Sequence, residues 1–150
     1  MSLRDWLSKG WVIEHQTSNR EISDLLGLVE RDLAACQTSG LVPDWQLSIA
    51  YNAALQAATA ALAASGYRAS REAHHYHVIQ SLAFTVKLDS KALSEFDAFR
   101  RKRNIGGYEI AGQVSEQEAE EMYQLARKLQ KEVINWIAKT HPKFIKADKK

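Results

Sequence analysis

Apolar positions along the chain recur at helical spacing in five segments. Over residues 19–36, Ile22, Leu25, Leu26, Val29 and Leu33 form one stripe, and Ser18 and Glu21 stand at capping-box spacing. A second helix is expected from Pro43-Asp44 to Gly66, a C-cap residue, with a stripe of Leu47, Tyr51, Leu55, Ala58 and Leu62. Nine alanines lie between Ala50 and Ala64. Small side chains let helix backbones approach closely, so this helix should be central. A third helix is expected over residues 70–86 and a fourth over 90–104. The fifth opens with a capping box at Ser115 and Glu118 and stops at Thr140, before Pro142. Its seam is Met122, Ala126, Leu129, Val133 and Ile137.

Residues 3–11 suit a short extra helix, and nothing alternates as a strand would. The connections are short, which favours antiparallel neighbours. The expected fold is all-α, an antiparallel bundle of four to five helices. It forms one domain over residues 1–150, with 143–150 as a loose basic tail.

Composition adds limits. A chain of 150 residues suits one domain. A domain of that size buries roughly 68–70% of its unfolded surface, so it needs no staple. Cys36 is the single cysteine, which fits a reducing compartment and makes a buried small residue a better reading than a nucleophile. Charge in Met1-Ser2-Leu3-Arg4-Asp5-Trp6 replaces the apolar run of a leader. No apolar run approaches the ~20 residues of a membrane span. A soluble, cytoplasmic protein is expected, with no membrane contact.

The net charge of +2 makes no bulk case for nucleic acid, so local clusters matter more. Arg100-Arg101-Lys102-Arg103 is one cluster, and Lys143, Lys146, Lys149 and Lys150 are another. Glu116, Glu118, Glu120 and Glu121 lie between them. The C-terminal lysines read as a solvated face.

At ~100° per residue, Ala92, Leu93, Phe96 and Phe99 share one side of the fourth helix. Arg103 falls on that side, seven residues after Phe96 and four after Phe99. Arg100 lies near its edge, while Arg101 and Lys102 point elsewhere. An inward guanidinium requires a carboxylate, carbonyl groups or an anionic ligand. Two readings stand: a structural salt bridge, or a groove in which Arg103 meets phosphate. Gly106-Gly107 ends the helix and can let Tyr108 fold back beside Arg103. Arginine, the Asn104 amide and a phenol would then converge, suited to phosphate with an aromatic surface beside it.

The run Asp97-Ala98-Phe99-Arg100-Arg101-Lys102-Arg103-Asn104-Ile105-Gly106-Gly107-Tyr108 resembles the motif of the HEPN superfamily. Ala50-Tyr51-Asn52-Ala53-Ala54-Leu55-Gln56-Ala57-Ala58 is similar to that family's aromatic- and alanine-rich helix. The resemblance covers residues 22–137 in pattern and order. It implies a small helical bundle, usually a homodimer, of the kind found in toxin–antitoxin and phage-defence systems. Catalytic members carry an arginine, a polar residue, three variable residues and a histidine, and cleave RNA without metal. Arg103 and Asn104 match the first two positions, and Tyr108 stands where the histidine belongs. Tyrosine titrates near ~10 and histidine near ~6.5, so Tyr108 is a poor base at neutral pH. The resemblance then implies RNA or nucleotide binding, or pairing with a nucleotidyltransferase or antitoxin, ahead of cleavage. Arg103 and Tyr108 are the candidate catalytic pair, and Asn104, Arg100 and Asn52 the candidate ligand-binding residues. The alternative is a non-catalytic protein-interaction module in which Arg103 is structural.

Other candidates are bland. His74-His75-Tyr76-His77 has only Glu72 nearby, short of a zinc set, so no metal and no cofactor are expected. These histidines fit a half-exposed helix start. Asn52, Gln56 and Thr59 form a polar stripe that faces solvent or the Arg103 groove. Asp97, four before Arg101, suits a pair with it. No P-loop, dinucleotide fingerprint or serine-hydrolase elbow is present.

Overall fold

The computed structural model describes residues 1–106 and 114–145, without the side chains of Asn104 and Ile105. Six α-helices and two short strands follow in order. They are α1 (Leu3–Lys9), β1 (Val12–Glu14), α2 (Asn19–Ala35), α3 (Pro43–Ala64), β2 (Tyr67–Ala69), α4 (His74–Gln80), α5 (Ser90–Gly106) and α6 (Glu116–Thr140). A single 3-10 turn, Ser81–Ala83, extends α4. The chain is mostly helical, as the periodicity predicts.

The long helix α3 is the spine, and it packs chiefly against α6 and α2. Seven of its alanines, Ala50, Ala53, Ala54, Ala57, Ala58, Ala60 and Ala61, have no exposed surface. Methyl side chains at these positions let both neighbours come close at once. By length and composition α3 also suits a membrane span, yet 67% of its most apolar 18-residue stretch is buried inside this fold. Across from it, Met122, Leu129, Val133 and Ile137 of α6 are fully buried, as the seam predicts. Each large apolar side chain so buried contributes roughly 1.5–3 kcal/mol.

The caps are as expected in part. Ser115 and Glu118 form the full reciprocal box at α6. At α2 only half forms: Ser18 Oγ accepts the Glu21 amide N–H, while the Glu21 carboxylate takes Thr17 and His15 instead. Those bonds, the Thr17 hydroxyl foremost, hold the Glu21 carboxyl below its ordinary range against the opposing effect of burial.

Three expectations need correction. The third helix does not span residues 70–86. Ala73 takes a left-handed φ of 51°, so α4 starts only at His74. At its far end, the Ser81 hydroxyl donates to the Val78 carbonyl and tightens the last turn. Strands do exist: β1 and β2 pair antiparallel, with Val12 opposite Ala69 and Glu14 opposite Tyr67. Three residues each are too few for alternation to register in sequence. The tail is not loose from Lys143, since Phe144 and Ile145 pack against the core. The rest of that expected tail, residues 146–150, lies outside the described residues.

The small sheet positions α4. Ser70 extends the pairing by donating its N–H to Trp11 at 3.0 Å and its hydroxyl to Gly10 at 2.6 Å. His77 then enters an aromatic cluster, stacked on Trp11 at 5.1 Å and edge-on to Trp6 at 5.3 Å. Residues two apart on a helix diverge by about 200°, so fixing His77 there turns His75 the opposite way, toward α3.

Candidate functional site

The helical phase of α5 places its arginines as the spacing predicts. Phe96 is fully buried and meets the Tyr51 ring edge-on at 5.7 Å. Two turns further along the same face, the Arg103 guanidinium lies over that tyrosine ring, 5.1 Å from its centre. Among the described residues no carboxylate forms an ion pair with Arg103. The local acid, Asp97, is taken: Arg100 Nε donates to it at 2.7 Å, and Arg101 also pairs with it. The pairing of Asp97 with Arg101 is the one expected. Arg100 also lies over Tyr76, 5.5 Å from the ring centre. Lys102 turns away and bonds Glu118 at 3.2 Å, tying α5 to the start of α6.

Stacking uses the face of the guanidinium and not its edge. The planar N–H fork keeps its donors while the ring holds the group in place. Arg103 is half-buried, which limits its access to water as a substitute partner.

Behind the ring, the Tyr51 hydroxyl meets His75 Nδ1 at 3.3 Å. Burial pushes the Tyr51 hydroxyl up to about 12, overriding the opposite pull of Arg103 and Arg100, with Asp97 adding to the rise. Tyr51 therefore keeps its proton. Burial, then the positive charges of His74, Arg103 and Arg100, hold His75 below the ordinary imidazole range. His75 is half-buried, while His74 is exposed at the helix start. A half-exposed helix start describes this pair, and His77 departs from it: it is buried, with Nδ1 lacking a hydrogen-bond partner among the described residues.

The remaining candidates are placed differently. The Asn52 amide donates to the buried Asp32 carboxylate at 3.1 Å, bridging α3 to α2. Thr59 bonds back to the Leu55 carbonyl. The polar stripe is thus not a plain solvent face, and at Asn52 one amide hydrogen is committed to Asp32. Cys36 is buried, and its thiol is raised to about 11, first by desolvation and then by the Asp32 charge. Tyr108 and the Asn104 side chain lie outside the described residues. Among the described residues no three His, Cys, Asp or Glu side chains gather as a metal site needs.

Sequence reasoning missed Tyr51 and His75. Tyr51 sits on the stripe of α3 and reads as core. His75 is 28 positions from Arg103, and no local spacing links them. Comparisons with family models, with curated proteins and with solved structures find no match.

Proposed function

We propose that this chain is a HEPN-like nucleotide- or RNA-binding domain in which Arg103 contacts phosphate. The observation that carries the reading is the Arg103 guanidinium, stacked on Tyr51 with no carboxylate among the described residues. An oriented, half-buried fork whose donors make no hydrogen bond among the described residues suits an oxyanion. Arg100, held by Asp97, adds positive potential beside it. Asn104 and Tyr108 shape the rest of the site in this reading. The domain acts as a homodimer in a toxin–antitoxin or phage-defence module, with weak or absent metal-independent ribonuclease activity.

The test is calorimetric binding of adenosine monophosphate and of a short RNA to wild type and Arg103→Ala, with circular dichroism to confirm folding. A folded mutant should bind at least ~10-fold more weakly, the effect of losing one charge-assisted hydrogen bond. Absence of binding by the wild type sinks the reading.

A second reading is a protein-interaction module, paired for example with a nucleotidyltransferase or antitoxin. Its support is the exposure of Trp45 and Val42 at the start of α3, 64% and 51%. Large apolar groups so open on a packed helix suit a protein partner.

A further inference from the structure

The two positive helices of the site meet on one residue. Tyr51 supports the Arg103 guanidinium with its ring face and touches His75 with its hydroxyl. The hydroxyl lies 3.3 Å from Nδ1 and can donate its hydrogen there, the direction that goes with one tautomer of the ring. Accepting at Nδ1 puts the proton of a neutral imidazole on Nε2. Among the described residues Nε2 makes no hydrogen bond, the only bond of the ring being the one at Nδ1.

Resting on the phosphate-binding reading above, we propose that His75 is a second phosphate-binding residue, donating Nε2–H to the phosphate that Arg103 holds. Tyr51 is the positioning residue for both, orienting the guanidinium by stacking and fixing the histidine tautomer through its hydroxyl. The ligand class is a phosphodiester or phosphomonoester gripped from two helices, α4 and α5. This division of labour explains why a fully buried tyrosine on the alanine-rich spine keeps a polar end at this point.

The arrangement also predicts how binding responds to acid. The groups facing His75 are Tyr51 from α3, Arg103 and Arg100 from α5 with Asp97 behind them, and His74 on its own helix. Protonation of His75 retains the Nε2 donor and adds a charge toward the ligand. A diester ligand should therefore bind more tightly as the pH falls below the ordinary imidazole range.

The experiment uses an RNA tetranucleotide of uridines without terminal phosphates, whose charge is constant between about pH 5 and 8. Binding is measured for the full chain, His75→Ala, His75→Gln and Tyr51→Phe, alongside the nitrogen NMR spectrum of the His75 ring. Wild type should show the Nε2–H tautomer at pH 7. His75→Ala should bind roughly 10- to 100-fold more weakly, the range of one hydrogen bond to a charged group. His75→Gln, which keeps a donor, should recover part of that loss but lose the tightening at pH 5. Tyr51→Phe keeps the stacked ring and should give a mixed tautomer with weaker binding. An Nδ1–H tautomer in the wild type, or wild-type affinity in folded His75→Ala, overturns the proposal. If binding still depends on Arg103, the phosphate reading survives that failure. A wild type that binds no RNA overturns both.

Discussion

The Asn52 amide donates to Asp32 across the α2–α3 contact at 3.1 Å, and Arg31 completes the shell of that carboxylate at 2.9 Å. Asp32 is only 6% exposed, so its oxygens depend on these partners. Asn52→Leu should lower stability by about 1–3 kcal/mol, the cost of stranding a buried acceptor. Urea denaturation reads that loss. If the bond to Asp32 is the whole role of Asn52, RNA binding by the folded variant should be unchanged, and a specific binding defect would place Asn52 in the ligand site.

Two histidines set a pH response. Burial, foremost, holds both His75 and His141 below the ordinary value of 6.5. The unfolded chain then binds more protons than the folded one over that interval. Stability is complete above 6.5 and is lost as pH falls through the lower folded values. The urea midpoint should drop between about pH 7 and 5, and His75→Gln should flatten part of that slope. A midpoint rising toward acid would contradict the burial of both rings.

Glu118 gives a separate acid-side signal. Its carboxyl accepts the Ser115 backbone N–H, the chief cause holding it below 4.5; burial opposes this, and Lys102 adds to the lowering. The stabilisation is present above 4.5 and is lost as pH falls through the folded value. Glu118→Gln should therefore cost stability at neutral pH and converge on wild type in acid. Ser115→Ala, which removes the other half of the box, should cost about 1 kcal/mol at either pH.

Ala57 of α3 has no exposed surface. Ala57→Leu should destabilise by at least ~1–3 kcal/mol, because the added carbons must push neighbouring backbones apart. Thermal unfolding checks this, and an unchanged midpoint would mean that the spine has room to spare.

The helices were legible where periodicity was long, with a side-chain cap at α2 and α6 and a proline start at α3. The phase of α5 also set Arg103 on the buried side, since Phe96 and Phe99 define that face over two turns. Legibility failed where structure depends on pairing at a distance. Val12 and Ala69 are joined only by the fold, and neither segment carries a strand signature. Ala73, in a left-handed conformation that alanine rarely adopts, gave no warning that α4 would start so late. The same holds for the site. Arg103 was visible from its helix alone, whereas His75 reaches Tyr51 only because the Trp6–Trp11–His77 cluster turns its helix.

The alanine-packed spine has a consequence for how such a chain can diverge. At its methyl positions nearly every change adds bulk, so substitutions there need matching reductions on α2 or α6. The outer faces of those helices carry no such coupling. Descendants of this fold should therefore drift freely in overall identity while keeping the spacing of small residues on one helix. Kinship among them would be recorded in the rhythm of alanines more durably than in any charged motif.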